Sequence, residues 1–329
     1  MLINIVGGGL AGTAVAKLCY ENNISFDWHI DSKPNASDIS SGIINPITGK
    51  NLVLTWHFES FLKSALTFYH SDHTSFIEPI HIEKHIQDEI LFKDICLDIN
   101  DRSPWMDIVS ENIVALKHCY QVKVQYFMEY WKSKLDAHIL HEPFEYEDIT
   151  LHETYSLYKD KSYNYIIFCE GISVRNNPFF NHLPFSPNRG EALEIDIPNY
   201  ELTKIVHKGK MLCPYKNHFW VGSSFDRVPY ESPLKTEKVY SELTDYLEQN
   251  FSDVPYEIKQ HLGAMRCTAR DRKPIIDRHL THRNLIVFNG FGTKGASLIP
   301  YFAQNLISHI TNETPLDPEV SIKRFKEYR

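Results

Sequence analysis

The sequence predicts an α/β protein with a parallel sheet in one domain and a second, sheet-containing α+β domain interleaved with it. Residues 2–6 are a short β-branched apolar run typical of a buried parallel strand, and small and apolar residues at helical spacing follow over 12–22. The order of strand, glycine turn and helix returns at 284–310. The long middle segments mix helical patterns, as at 56–69, with strand-like runs over 193–225, which indicates a second domain.

Composition narrows the class of protein. A chain of 329 residues with 43% hydrophobic residues can bury a large core, and its length favours two compact units. The net charge of −8 gives no overall attraction to nucleic acid or anionic lipid, so neither partner is favoured, although a local basic patch would still permit nucleic acid. No apolar run approaches the roughly 18 residues of a membrane span, and the N-terminus does not resemble a leader, so we expect a cytoplasmic protein without a membrane partner. The six cysteines form no C-x-x-C pair and are expected to be reduced and structural.

Residues 7–12 carry the spacing G-x-G-x-x-G between the first strand and the first helix. Gly7 permits a tight turn, Gly9 lets a pyrophosphate approach the backbone, and Gly12 lets the helix pack closely on the strand. The helix N-terminus, with Leu10 and Ala11, faces the anion. These features predict a Rossmann-like dinucleotide site.

An acidic residue stands at the expected distance from these glycines. The predicted strand 25–30 ends at Asp31, 19 residues after Gly12, where a carboxylate can accept hydrogen bonds from a ribose diol, with Ser32 beside it. This pattern is shared by NAD and FAD sites, so other segments must distinguish the two.

Three further segments repeat the combination of glycine and apolar residues. Residues 37–50, SDISSGIINPITGK, suit a loop that wraps a phosphate or a flavin with backbone N–H groups, the alternative being an ordinary surface loop. Residues 163–171, YNYIIFCEG, predict another buried strand that ends in a glycine turn. Near the C-terminus, glycines bracket Thr293 and Lys294, and a helix is predicted from about Gly295.

Taken together, these segments resemble the D-amino-acid oxidase and glycine oxidase family of FAD-dependent oxidoreductases. The resemblance is strong at both ends, moderate over 160–226 and absent from about 53 to 118. The C-terminal segments are also similar to the oxidase half of the bacterial bifunctional enzyme that completes methylaminomethyl-thiouridine in tRNA. The matching stretches are IVGGGLAG with Asp31, SSGIINP, CEG, RGE at 189–191, PYKNHFWVGSSFD at 214–226, GAMRCTARDRKPIID at 263–277 and NGFGTKG at 289–295.

The resemblance implies FAD as the cofactor and a division into two domains. Residues 1–70, 115–178 and 262–329 would form the FAD-binding domain, and residues 71–114 and 179–261 the substrate domain. The residues implied in cofactor binding are Gly7, Gly9, Leu10, Ala11, Gly12, Asp31, Ser32, Ser41, Gly42, Ile43, Gly171, Gly290, Gly292, Thr293, Lys294 and Gly295.

The last glycines would pass under the isoalloxazine ring. A helix N-terminus there stabilises the negative charge that hydride arrival at flavin N5 leaves near N1 and the C2 carbonyl. Lys294 is a candidate catalytic residue for the same reason, with a solvated loop lysine as the alternative.

On the substrate side, the resemblance implies that Arg266 pairs with a substrate carboxylate, for which the planar guanidinium fork is well suited. The alternative is an ion-pair residue of the domain interface, and Arg270 and Arg272 lie close by in sequence.

The expected pocket also includes Asn45, Met211, Tyr215 and Phe225. Met211 stands where glycine oxidase-like relatives have a tyrosine, so the pocket is expected to accept something other than a small free amino acid, and Tyr215 is a candidate substitute. For Phe225 the alternative is core packing.

We predict no metal site. His81 and His85 have the i, i+4 spacing that ligates metals on a helix, but no third ligand is evident.

The predicted activity is therefore oxidation of the CH–NH or CH–NH2 bond of a small amine or amino acid by hydride transfer to flavin N5. Two alternatives remain: a tRNA wobble-uridine carboxymethylaminomethyl oxidase, and an FAD-binding protein without turnover.

Overall fold

The structure, a computed structural model, describes residues 1–49, 52–98 and 102–328. The helices are α1 (Leu10–Glu21), α2 (Phe58–Phe68), α3 (Glu89–Leu97), α4 (Val124–Lys134), α5 (Glu237–Phe251) and α6 (Gly295–Asn312). The strands are β1 (Leu2–Val6), β2 (Ser25–His29), β3 (Ile43–Ile44), β4 (Ile47–Thr48), β5 (Val53–Leu54), β6 (His70–Ser71), β7 (Thr74–Ser75), β8 (Ile77–Pro79), β9 (Ile82–His85), β10 (Met106–Ser110), β11 (Ile113–Leu116), β12 (Tyr120–Val122), β13 (Ile139–Leu140), β14 (Ile149–Leu151), β15 (Ser156–Tyr158), β16 (Lys161–Tyr163), β17 (Tyr165–Phe168), β18 (Phe185–Asp196), β19 (Ile205–His207), β20 (Met211–Tyr215), β21 (His218–Gly222), β22 (Glu257–Ala269), β23 (Ile275–Arg278) and β24 (Leu285–Asn289).

The first sheet has the strand order β13-β2-β1-β17-β24-β23. Its first five strands are parallel, and β23 runs antiparallel to β24 at the edge. Helix α1 connects β1 to β2, which is the predicted crossover, although it begins at Leu10 and β2 ends at His29. The Rossmann-like part of the predicted fold is confirmed.

Both faces of this sheet are covered, as a parallel sheet requires. Helices α1, α2 and α6 pack on one face, where Ile5 and Phe288 of the strands meet Val15 of α1 and Phe302 of α6. On the other face the small sheet β14-β15-β16 contributes Tyr158 and Tyr163 to a second core.

The second predicted sheet is the antiparallel sheet β20-β21-β18-β22. Helix α5 packs on one of its faces, where Leu193 and Val221 meet Leu243. The opposite face packs against the sheet β10-β11-β9-β19 through Trp220 and Ile82. Strand β22 pairs with β18 along its length and runs through the boundary predicted between residues 261 and 262. The exact domain limits therefore stay a prediction.

The histidines that raised the question of a metal site do not lie on a helix. His85 ends β9, and His81 directly precedes that strand, so their spacing does not bring the two rings together on one helical face. Among the described residues, no group of three or more potential metal ligands comes together. Nor does any described helix have the length and apolar character of a membrane span. All six cysteines are free, and all but Cys96 are buried.

Candidate active site

A cavity of about 930 Å³ opens where β1, β2 and β17 reach their carboxyl ends. This edge of a parallel sheet is where open α/β folds bind ligands. One end of the cavity, here called the glycine end, is lined by the turn before α1 and by Asp31 and Glu170. Another part, here called the substrate end, is formed by β9, β19, β20 and β22 and is lined by Lys84, His207, Met211 and Arg266. The cavity therefore connects the predicted nucleotide site with the second sheet.

The glycine turn has no room for side chains. Gly7 has φ +119°, and a Cβ there would lie 2.4 Å from the Cys169 carbonyl oxygen. A Cβ on Gly12 would lie 1.9 Å from the Gly7 carbonyl oxygen, which also accepts a 2.9 Å hydrogen bond from Trp28 Nε1. Gly12 thus acts behind the cavity wall, packing α1 against β1, and it is not among the lining residues.

Asp31 is exposed and lines the glycine end, as does Ser32. Near Asp31 lies a carboxyl group that the sequence analysis missed, that of Glu170. Glu170 accepts hydrogen bonds from the Tyr146 hydroxyl at 2.5 Å and from Asn177 Nδ2 at 2.8 Å. Burial, with a smaller contribution from the charge of Asp31, raises the pKa of Glu170 to about 7, although the hydrogen bonds from Tyr146 and Asn177 oppose the shift. The sequence signal for Glu170 is its place in the CEG stretch, in which only Gly171 was predicted to lie at the site.

The raised pKa of Glu170 predicts a pH dependence of stability. Between its usual value of 4.5 and about 7, the folded state keeps a proton that the unfolded state has released, so stability falls as pH rises through this window. Glu170→Gln removes that titration. In the FAD-free protein, we expect the difference in melting temperature, variant minus unmodified protein, to increase from pH 4.5 to about 7 and to remain constant at higher pH. A difference that is constant from pH 4.5 to 8 would contradict the assignment.

The loop after β2 lines the middle of the cavity with Ser41, Gly42, Ile43 and Asn45. Two glutamines hold this loop in place. Gln121 Nε2 donates to the Ser41 carbonyl at 2.9 Å, and Gln125 Nε2 donates to carbonyls of residues 37, 38 and 40. Neither glutamine was identified from the sequence, because β12 and α4 lie far from the loop along the chain. Lys50, the last residue of the predicted loop, lies outside the described residues.

The C-terminal glycine segment lies at the same cavity. Gly292, Thr293, Lys294 and Gly295 line it, and so does Gly171 on the facing loop. Helix α6 begins at Gly295, so its N-terminus faces the cavity. Burial and the nearby charge of Arg272 lower the pKa of Lys294. Gly290 does not line the cavity. It has φ +85° and directly follows β24.

Arg266 lines the substrate end and projects from β22. Its Nη1 donates to Asn188 Oδ1 at 3.0 Å and to the Ser224 carbonyl at 3.3 Å, and its Nη2 donates to Ser223 Oγ at 3.1 Å. Burial lowers its pKa to about 10, and Asp226 opposes that shift, so the guanidinium is charged at neutral pH. In the part of the chain that the structure covers, it forms no ion pair with a carboxylate.

Gly190 makes room for this guanidinium. A Cβ on Gly190 would lie 1.9 Å from Arg266 Nη2 and 2.1 Å from its Cζ. The glycine of the RGE stretch therefore fixes the position of Arg266. The sequence alone did not predict this role for the glycine of RGE.

Two expected pocket residues lie elsewhere. Tyr215 is buried, and its hydroxyl donates to the Asp38 carbonyl at 2.7 Å, so it supports the loop from behind and is not among the lining residues. Phe225 is 58% exposed and also absent from the lining, because it follows the turn out toward solvent. Both pocket assignments are therefore corrected. Met211 and Asn45 do line the cavity.

Polar atoms on the cavity wall lack partners within the described residues. Buried nitrogen or oxygen atoms of His29, Asn45, Thr55 and His207 are without a hydrogen bond, and all four residues line the cavity. Buried polar groups normally find partners, so these atoms indicate a site shaped for a polar ligand. Their spread along the cavity, the bare glycine turn and two helix N-termini fit a long dinucleotide such as FAD.

Comparison with known proteins agrees with this fit. The family model "FAD dependent oxidoreductase" (DAO) matches residues 144–308, half of the chain. Iminodiacetate oxidase from Chelativorans sp. BNC1 has a similar structure, with a TM-score of 0.77, 13% identity and coverage of 97% of this chain and 98% of that one. Glycine oxidase from Geobacillus kaustophilus gives a TM-score of 0.77 at 15% identity, covering 98% of both chains. L-amino acid deaminase from Proteus vulgaris with its specific insertion sequence deleted gives a TM-score of 0.71 at 13% identity, covering 98% of this chain and 93% of that one.

The fold and the site thus define a flavin-dependent oxidoreductase. The chain belongs to the DAO family of FAD-dependent oxidoreductases, and FAD is its cofactor.

Proposed function

We propose that the protein oxidises the C–N bond of a small amine or amino acid whose carboxylate is bound by Arg266. The observation that carries this proposal is the state of the Arg266 guanidinium. It is charged, it lies on the cavity wall, and its described hydrogen-bond partners are uncharged oxygen atoms. A buried cation of this kind is stabilised by an anionic ligand, and a guanidinium binds a carboxylate with two parallel hydrogen bonds.

The residues of the chain have three tasks in this proposal. The bound FAD supplies the hydride acceptor. Gly7, Gly9 and the N-terminus of α1 would hold its pyrophosphate, Asp31 its ribose, and the loop 41–43 its flavin end. Arg266 orients the substrate, and the N-terminus of α6 with Lys294 provides positive potential on the facing wall. Because orientation and electrostatics supply most of the catalysis, the site needs no side-chain base.

The names of two structural neighbours, iminodiacetate oxidase and glycine oxidase, support an amine or amino-acid substrate. Met211 occupies part of the wall at the substrate end and leaves it without a hydroxyl at that position.

Anaerobic titration of the FAD-loaded protein tests the proposal. Glycine, sarcosine, iminodiacetate and D-amino acids are added in turn, and the flavin absorbance near 450 nm is followed. We expect at least one of these amines to bleach the flavin in the unmodified protein and to do so far less in Arg266→Met. Bleaching only by tRNA that carries carboxymethylaminomethyl-uridine would establish the tRNA oxidase instead. A folded, FAD-loaded protein bleached by none of them would indicate an FAD-binding protein without turnover.

A further inference from the structure

We propose that the substrate end contains a second anion subsite, formed by Lys84 and His207, and that the substrate is an amine carrying two acidic groups. This inference rests on the proposed function and specifies its substrate class: Arg266 binds one carboxylate, and Lys84 with His207 binds the other.

Strand pairing brings Lys84 and His207 together. Strands β9 and β19 run parallel, with His207 directly opposite Lys84. Paired residues project from the same face of a sheet, and both side chains line the cavity. The neighbouring Lys204 instead binds the carboxylate of Glu83 at 2.8 Å, and neither residue lines the cavity.

Neither group is neutralised by the protein. Lys84 Nζ donates to the Gly49 carbonyl at 2.9 Å, and no ion pair to it occurs among the described residues. His207 Nδ1 is buried and has no hydrogen-bond partner outside its own residue in the same part of the chain. Burial together with the charges of Lys84 and Lys210 lowers the pKa of His207 to about 4, so at neutral pH its ring is uncharged and donates through one N–H. The subsite thus offers an ammonium group and a neutral donor.

The subsite and Arg266 belong to one continuous wall. Lys210 Nζ donates to the Ser223 carbonyl at 3.3 Å, while Arg266 Nη2 donates to Ser223 Oγ at 3.1 Å. Lys210 follows His207 across a tight turn and precedes Met211, which also lines the cavity. Lys84, His207 and Arg266 thus line the same cavity, and Lys210 and Ser223 connect the segment of His207 to Arg266.

The charges at the substrate end leave an excess of positive charge. Glu191 lines the cavity, but its carboxylate is already bound by Arg189 at 3.1 Å and His261 at 3.0 Å, and Asp226, whose charge acts on Arg266, is paired with Arg189 at 3.4 Å. Other carboxylates that line the cavity lie on loops at the carboxyl ends of the first sheet and on the loop after β2, among them Asp31, Asp38 and Glu170. One substrate carboxylate would balance Arg266 alone and leave Lys84 uncompensated. A second acidic group supplies the missing charge.

Equilibrium binding of unreactive acids to the FAD-loaded protein tests this inference separately from catalysis. Succinate and glutarate are compared with butyrate by calorimetry, in the unmodified protein and in Lys84→Met, His207→Gln and the control Lys204→Met. In the unmodified protein we expect a dicarboxylate to bind at least about tenfold more tightly than butyrate. Lys84→Met should reduce this preference to about twofold or less. His207→Gln should weaken the preference, and Lys204→Met should leave it unchanged. Thermal melting confirms that each variant is folded.

Equal binding of butyrate and both dicarboxylates would overturn the inference, and so would a preference that survives in both Lys84→Met and His207→Gln. The proposed function fails differently: no amine bleaches the flavin, whatever the acids show. A dicarboxylate preference without bleaching would therefore support the anion subsite and contradict amine oxidation. Bleaching without that preference would support amine oxidation and contradict the anion subsite.

Discussion

Replacement of Arg266 by methionine is expected to lower kcat/KM for the amine substrate by about 100-fold to 10,000-fold. The variant loses two charge-assisted hydrogen bonds to the substrate carboxylate, each worth roughly 1.5–3 kcal/mol, and every 1.36 kcal/mol corresponds to a factor of ten. The free energy of unfolding should change much less. The variant leaves the acceptors Asn188 Oδ1 and Ser223 Oγ without this donor, which is destabilising, but it also removes a buried charge, which is stabilising. Steady-state kinetics and thermal melting measure the two effects.

Gly190→Ala provides an independent way to reach the same result. The added methyl group would occupy the position of Arg266 Nη2, so the guanidinium must move while Arg266 itself stays in the sequence. We expect kcat/KM to fall in the same direction as in Arg266→Met. The control is Arg270→Met, since Arg270 is exposed and pairs with Glu327 at 2.8 Å. If Arg270→Met lowers kcat/KM as much as Arg266→Met does, the carboxylate is bound by Arg270 and the assignment is wrong.

The second large effect concerns Gly12. Alanine would normally favour an α-helix over glycine by about 1 kcal/mol, but a Cβ here would lie 1.9 Å from the Gly7 carbonyl oxygen, so α1 must move away from β1. We expect Gly12→Ala to lower the free energy of unfolding by about 3 kcal/mol and to abolish copurification with FAD. The ratio of absorbance at 450 and 280 nm and urea unfolding measure these losses.

Gly295→Ala is the matched control for unfolding. This glycine also lies in a helix, but its added methyl group would meet the end of the flexible Ile299 side chain at 3.3 Å and Phe291 Cβ at an ordinary contact distance of 3.9 Å. We expect its free energy of unfolding to change by less than about 1 kcal/mol. Equal destabilisation of both variants would show that the helical position, and not contact with Gly7, causes the effect.

The sequence predicted the parts of the site that depend on short spacings. The turn from β1 to α1, Asp31 after β2 and the glycine segment before α6 each need only a strand, a turn and a helix adjacent in the chain, and the structure has all three. Arg266 and Met211 were identified through resemblance, and both line the cavity.

The residues that the sequence did not predict are brought in by distant pairings. Lys84 reaches the cavity because β9 pairs with β19, and Gly190 matters only because β18 lies beside β22. Such pairings connect residues far apart in the chain, and no local pattern encodes them. The prediction that Phe225 lines the pocket was wrong for a local reason. The resemblance of its segment to the family does not show that the turn carrying this apolar residue faces solvent.

The arrangement of β22 has an evolutionary consequence. This strand carries Arg266 and, two residues later, Thr268, which forms a β-bridge with Phe291 beside the glycine segment. A mutation that shifts β22 is therefore expected to disturb both ligand sites together. Lys84, His207 and Met211 lie on other strands, where replacements can accumulate without disturbing β22. New substrate preferences in descendants of this protein are thus expected to arise on β9, β19 and β20, while the flavin-binding framework persists.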